Sequence, residues 1–483
     1  MQVIGIDKQD FLYHQIAEKL EKQIQFGVLK SGDKLLSVRG LSKEQGVSMS
    51  TAFLAYTQLE NKGLIEARPK SGYYVKFTPR QLPQIPKVDV LKKDIKKVSV
   101  DEMITMLYEN LTMESAIRFS VAAPDVSLLP VAKLNKAMNE AIRNSKYSCL
   151  QYENIHGNEL LRKQIARLSF NWGGVITADD VLTTNGCMEA LVFCLKAVTQ
   201  PGDTVAIDSP TYFGIFQAMQ SLGLKVLEIP NDPETGMDVL YLQRAMAKVK
   251  IKACLVVSNF NSPTGGIMSD ERKKRLVKML AEKEIPLIED DIYGELYFGR
   301  QRPRTCKSFD KTGNVLLCSS VSKSLAPGYR VGWVIPGKFK DKVLRTKLIN
   351  TITNATPTQA AIGLFFENGR YELHLRNLRK ALHTNCLKYM QAITQYFPAD
   401  TKITQPRGGY VLWVELKKHI NAFEVYEKAM EQNISIAPGQ IFSADARFTN
   451  FIRVGFGIPY SDAVEKSLKT LGSLIKKLGE EKV

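Results

Sequence analysis

Residues 319–333 read SSVSKSLAPGYRVGW, a single lysine set among serines, then a Pro-Gly turn and an arginine seven positions on. An ordinary surface lysine needs neither the hydroxyls around Lys323 nor the turn at Pro327 and Gly328. The pattern has a chemical reading. An ε-amine forms an imine with an aldehyde, and a cofactor aldehyde makes that bond useful. If the cofactor also carries a phosphate, the hydroxyls of Ser320 and Ser322 and the guanidinium of Arg330 are of the kind that hold one. A ring nitrogen in such a cofactor needs a carboxylate to keep it protonated. The stretch IPLIEDDIYGELYF, residues 285–298, supplies Asp290 at the end of an apolar run and a phenol, Tyr293, three residues later. Each piece has a plainer reading, Lys323 as a surface residue and Asp290–Asp291 as a helix cap. Their joint order on strand ends favours the chemical one, because open parallel sheets place their sites there.

Length and composition set the frame. A chain of 483 residues is too long for one compact core, so two or three domains are expected. An apolar content of 44% with 24% charged residues is ordinary for globular domains. No apolar run reaches the length of a membrane span, and MQVIGIDKQDFLYHQ lacks the layout of a signal peptide. The seven cysteines are dispersed, with no CxxC pair, which suits a reducing cytosol and gives no zinc signature. The expectation is a soluble, cytoplasmic protein. The net charge of +17 suggests an anionic partner, yet residues 1–77 hold 11 Lys and Arg against 8 Asp and Glu. Most of the excess sits after residue 115, so charge alone does not mark the N-terminus as a nucleic-acid binder.

Three segments follow along the chain. In residues 1–77, Ile16, Leu20 and Ile24 recur at helical spacing before a break at Gly27. The next stretch, residues 37–64, reads as a helix, a tight turn at Gly46 and a second helix capped by Ser48 or Ser50. Leu41, Val47, Ala52, Tyr56 and Leu59 are placed to bury against one another. LIEARPKSGYYV, residues 64–75, is a short hairpin with Arg68, Pro69, Lys70, Ser71 and Gly72 at its tip. Three helices and a hairpin make a winged helix-turn-helix, whose second helix enters the major groove of DNA. Residues 78–115 open with Pro79, Pro83 and Pro86, a stiff extended linker, and continue as a lysine-rich short helix or solvated coil. In residues 116–483 the apolar runs TVAID, ACLVVSNF, IPLIEDD and NVLLCSS alternate with helical patterns, which argues a mostly parallel sheet covered on both faces.

The N-terminal segment resembles the GntR-type winged helix over about 65 residues, through GVLKSGDKL, SVRGLS, GVS and AYTQLENKGLIEARPKSGYYV. The resemblance implies double-stranded DNA as partner, with Arg39 on phosphate or base and the Arg68–Gly72 wing, Lys70 included, in or near the minor groove. One position departs from it. The family's arginine after the helix-opening Ser or Thr is Met49 here, so a bidentate guanine contact is missing. Specificity then falls on Ser48, Ser50, Thr51, Arg39 and the wing.

Residues 116–483 resemble the fold-type I, pyridoxal-phosphate-dependent aminotransferases, with a mostly parallel central sheet and a smaller α+β subdomain. The resemblance makes Lys323 the Schiff-base lysine, Asp290 the partner of the pyridinium nitrogen and Tyr293 the partner of the ring 3′-oxygen. In TTNGCMEAL, residues 183–191, Gly186, Cys187 and Met188 offer backbone N–H groups to the phosphate at a helix N-terminus. Tyr212 in DSPTYFG is the ring stacked on the cofactor face. Tyr152 in QYENIHGNELLR is a phosphate-binding tyrosine donated by the neighbouring subunit, which implies a dimer. Arg453 in NFIRVGFG clamps the substrate carboxylate, a task for which a planar fork suits better than a lysine. The family's NPTG is SPTG here, so Ser262 stands where an asparagine is usual, with Asn261 one place early.

A GntR-type module joined to an aminotransferase-like one resembles the MocR/GabR-like transcription regulators. That implies a head-to-tail homodimer with swapped winged helices. It also implies a small amino acid or amine as effector, which takes over the imine from Lys323 as an external aldimine anchored by Arg453. Two other readings stay open at this point. One is an aminotransferase, of full or partial activity, that converts an amino acid to a 2-oxo acid beside a vestigial winged helix. The other is a DNA-binding protein with a cofactor-free dimerising domain.

Overall fold

The computed structural model describes residues 12–25, 28–30, 32–68, 71–76, 83–87, 96–97 and 116–480, apart from 146 and 148. The chain divides into two compact units, residues 1–82 with 383–391, and residues 83–382 with 392–483.

In the first unit, helices span Leu12–Gln25, Val38–Gln45 and Met49–Asn61. Ser37 caps the second, accepting from the Gly40 amide at 3.0 Å, and Gly46 ends it in the left-handed region, φ 62°. Only a glycine takes that conformation without strain, which is why the turn falls there. Ser48 caps the third helix, accepting from the Thr51 amide at 3.0 Å, and the Ser50 hydroxyl lies 2.8 Å from Ser48 Oγ. Of the two serines the sequence offers, Ser48 is therefore the cap. Ile16, Ile24, Leu41, Ala52, Tyr56 and Leu59 are buried together, whereas Val47 packs at their edge and is only half-buried. The Tyr56 hydroxyl donates to the Leu36 carbonyl at 2.8 Å. Strands Ile65–Arg68 and Gly72–Val75 pair antiparallel and form the wing.

Of the linker, Pro83–Lys87 has no regular structure, and Pro79 lies outside the described residues. Within the lysine-rich part, residues 96 and 97 depart from the expected helix or coil, and the rest from 88 to 115 lies outside the described residues. Lys96–Lys97 form a two-residue strand, antiparallel to Lys225–Val226. The edge of the large sheet presents unpaired backbone groups there, and any extended segment can satisfy them whatever its side chains.

The second unit is built on that sheet. From this edge the strands run Lys96–Lys97, Lys225–Asp232, Thr204–Ser209, Ala253–Val256, Leu287–Asp290, Val315–Ser320, Gly332–Ile335 and Leu182–Thr184, with Gly236–Met237 paired to Lys225–Asp232 off this path. The five from Lys225–Asp232 to Val315–Ser320 are parallel, and Gly332–Ile335 runs against its neighbours. All four apolar runs of the sequence supply strands, and separate buried clusters cover the sheet. A smaller antiparallel sheet of Lys402–Ile403, Val411–Glu415, Phe451–Gly455 and Ala437–Pro438 packs with the helices Ala422–Met430 and Asp462–Glu480 as an α+β subdomain. Among the described residues, no helix is long and apolar enough to cross a membrane.

Leu59 is wholly buried in the first unit's core. Leu59→Ala should lower that unit's stability by about 2–5 kcal/mol. Hydrogen exchange on the full chain checks this: protection should fall in residues 38–61 and stay unchanged in the Val315–Ser320 strand.

Candidate functional site

Lys323 follows the carboxyl end of Val315–Ser320, and Asp290 ends the parallel neighbour, in register with Cys318. The sheet thus sets amine and carboxylate at the same rim. Three side chains from distant sequence hold Lys323 and the residue after it, Ser324. The Tyr410 hydroxyl donates to the Lys323 carbonyl at 2.6 Å, Tyr371 bonds Ser324 Oγ at 2.7 Å, and His374 Nε2 lies 2.7 Å from the Ser324 carbonyl. Sequence reading missed all three, because separations of 47 to 87 residues leave no local signal.

Lys323 Nζ donates no hydrogen bond to a described residue and stands 6.0 Å from the Tyr293 ring centre. Burial, with Arg453 and Arg330 nearby, lowers its pKa to about 8 against the pull of Asp290. Asp290 is buried, and burial raises it to about 6, so it remains mostly ionised at neutral pH. Its Oδ1 accepts from the Cys187 thiol at 3.3 Å and the Ile292 amide at 3.1 Å, which leaves Oδ2 open. Burial likewise raises the Tyr293 hydroxyl to about 12, with Arg453 opposing.

Arg453 lies on the Phe451–Gly455 strand and is 3% exposed. It donates to Ser262 Oγ at 3.3 Å and to the Ser120 carbonyl, and its guanidinium sits 5.1 Å over the Phe442 ring. Its Nε is buried without a partner among the described residues. Ser262 also stands near enough to the Tyr293 hydroxyl to favour its ionised form, so one serine lies beside both the phenol and the arginine. Asn261 does not stand in for the missing asparagine. Its side chain turns to Asp208, 3.4 Å away, and to Thr264 at 3.3 Å.

A second cluster lies around Gly186, which opens the helix Cys187–Val198 with φ 85°. The first amides of that helix, Cys187 and Met188 among them, have no partner inside it and suit an anion. Arg330 reaches the Asn185 carbonyl at 3.2 Å and Ser322 Oγ at 3.3 Å, and the Ser322 amide donates to Ser320 Oγ at 3.2 Å. A Cβ on Gly186 would stand 2.3 Å from Arg330 Nη2 and push that guanidinium aside, and the φ of 85° is one that residues with side chains rarely adopt. Tyr212, half-buried after the Thr204–Ser209 strand, is close enough to Arg453 to act on its charge. Tyr152 is 86% exposed and bonds none of these residues. A cavity of about 890 Å³ near Arg272, Arg304 and Arg407 includes none of these residues, so volume alone does not mark the site.

On the winged unit, Arg39, Ser48 and Ser50 are exposed, and Thr51 is half-buried. Arg68 bonds Glu66 at 2.9 Å and lies 4.2 Å over the Tyr74 ring, a surface pairing weak enough to give way to phosphate. Gly72 takes φ 104° at the wing tip, and Lys70 lies outside the described residues.

Residues 114–465 match the aminotransferase class I and II model, and residues 12–75 match the model of the bacterial regulatory proteins of the gntR family. The chain is 38% identical over 463 residues to the uncharacterized HTH-type transcriptional regulator YjiR of Escherichia coli, covering 96% of this chain and 98% of that one. It belongs to the HTH-type transcriptional regulators that carry an aminotransferase class I and II domain. A second such regulator from the same bacterium, YdcR, is 36% identical over 464 residues, 96% of this chain and 99% of that one. Among solved structures, the second unit is similar to LysN, the α-aminoadipate aminotransferase of Thermus thermophilus complexed with N-(5′-phosphopyridoxyl)-L-leucine. The TM-score is 0.73 at 25% identity, over 80% of this chain and 97% of that one. The regulator is thus a DNA-binding transcription regulator of the MocR kind, with the aminotransferase fold as its larger part.

The depressed amine makes a pH prediction. An amine attacks a carbonyl only when neutral, and neutral Lys323 grows as pH rises through about 8. Covalent uptake of pyridoxal phosphate by the regulator, followed by absorbance, should rise through about pH 8. Arg453→Ala should move that midpoint upward, since Arg453 is one cause of the depression, and Lys323→Ala should abolish the covalent form.

Proposed function

We propose that the regulator binds pyridoxal 5′-phosphate at Lys323 and uses it to sense an amino acid, whose arrival alters DNA binding by the winged helix. The carrying observation is the convergence of a part-buried amine of depressed pKa, the open Oδ2 of Asp290 and a buried guanidinium with an orphaned Nε. The residues fit the cofactor: the Gly186 cradle with Arg330, Ser320 and Ser322 would hold its phosphate, Asp290 its ring nitrogen, Tyr293 and Ser262 its ring oxygen, and Tyr212 its face. When bound, it supplies an aldehyde carbon that links to amines and a ring that draws electrons from that link. Lys323, once neutral, would bond there, and when displaced by another amine would stand beside the site as a base. Arg453 offers its free Nε–H to the effector's carboxylate, so the effector is an amino acid. The exposed Tyr152 suits donation to the second subunit of a homodimer.

Ligand exchange at Lys323 shifts DNA affinity only if the two states of the protein bind the ligand differently, and the coupling is typically about 1–3 kcal/mol, or 5–150-fold. The test titrates amino acids into the cofactor-loaded full chain bound to DNA from upstream of its own gene. One amino acid should change the affinity within that range, and Lys323→Ala and Arg453→Ala should lose the response. An affinity indifferent to every amino acid would refute the sensor reading. A second reading, turnover of amino acid to 2-oxo acid, is favoured by the assembly of Lys323, Asp290, Tyr293 and Arg453 at one rim. Rapid multiple turnover in the same preparation would support it.

A further inference from the structure

The helix Met49–Asn61 contains no lysine or arginine, and Glu60 is its one charged residue. Its inward positions are Ala52, Ala55, Tyr56 and Leu59, all buried. A flank beside that inward face begins with the helix's first residue. Met49 is 50% exposed, Phe53 51% and Leu54 46%. Met49 and Phe53 are four residues apart, one above the other on that face. The hydroxyls beside them are engaged locally: Ser50 and Thr51 each bond Ser48 Oγ at 2.8 Å, and Ser48 also caps the helix. What projects from the start of this helix is therefore a thioether and a phenyl ring.

Large apolar side chains grouped on a surface mark an interaction site. In a helix-turn-helix, the N-terminal residues of the second helix meet base edges in the major groove. The apolar group on those edges is the C5-methyl of thymine, whereas guanine is read by arginine or lysine, which this helix lacks. We propose that Met49 and Phe53 read thymine methyl groups, so that the half-site carries A·T pairs beneath them, while exposed Arg39 on the preceding helix supplies cationic contact. The inference rests on the family's DNA binding and is independent of the effector.

The test selects duplexes from a randomised library with the full chain. It then compares a recovered duplex with one in which uracil replaces thymine, a change that removes only the methyl. Selected sites should hold thymine at fixed positions, and each contacted thymine replaced by uracil should weaken binding about fourfold. Met49→Ala with Phe53→Ala should bind less tightly and no longer distinguish uracil from thymine, and Met49→Arg should turn selection toward guanine. Both positions lie outside the core, and an unchanged melting curve confirms that the variants fold. Sequence-selective binding that is indifferent to uracil overturns the proposal alone. So does a double variant that keeps its sensitivity to uracil but changes in mass by light scattering, which would assign the face to a protein contact. Failure to select any duplex overturns DNA binding together with it.

Discussion

A half-buried amine with two arginines nearby is the constraint on which the larger unit turns. Lys323 stands with two guanidiniums nearby and one carboxylate, and its charged form is disfavoured by burial and by both arginines. Left to itself such a side chain would swing out to solvent. Its backbone carbonyl is held by Tyr410 and the next residue, Ser324, by Tyr371 and His374, while parallel strand pairing puts Asp290 at the same rim. The amine is thereby poised between charged and neutral, which is the condition for a nucleophile near neutral pH.

Much of this was legible in the sequence, for a definite reason. Residues that act through the strand ends sit next to runs whose apolar character is itself conspicuous, as Asp290 does after PLIE and Ser320 at the end of VLLCSS. The helix-turn-helix was legible because Gly46 and Ser48 are local devices, each explained by its own backbone. What stayed hidden depends on tertiary pairing. Lys96–Lys97 becomes a strand only because a sheet edge lies open beside it, and nothing in its lysines says so. The bond from the Cys187 thiol to Asp290 crosses 103 residues, and the sequence offered Cys187 for its backbone amide alone.

Ser262 illustrates how a departure from a motif can be absorbed. The short side chain still accepts from Arg453 and stands near enough to Tyr293 to act on its hydroxyl. Asn261 is held by Asp208, itself raised to about 7 by burial and kept in place by the Val257 amide at 2.7 Å. Moving Asn261 into the vacated role would break that buried pairing, and an unsatisfied buried polar group costs about 1–3 kcal/mol. The serine is therefore a settled part of this site, with one donor where an amide would offer two.

The two units differ in how they handle charge, and the difference bears on what each can recognise. In the larger unit the cations stand within the site: Arg453 is buried with an orphaned Nε, and the exposed Arg330 reaches the Asn185 carbonyl and Ser322 Oγ. Such contacts are directional and gain strength from the surrounding low dielectric. On the reading helix the order is reversed, with cations absent and apolar groups in water. Phosphate attraction, which is long-ranged and blind to sequence, must then come from elsewhere on the protein, with Arg39 and the wing the nearest sources. Affinity and specificity are thereby separated onto different residues. A methyl contact discriminates by only a few-fold per base pair, so selectivity must accumulate over several contacts. That spreads over many weak contacts the specificity that an arginine at position 49 would have carried in one bidentate bond.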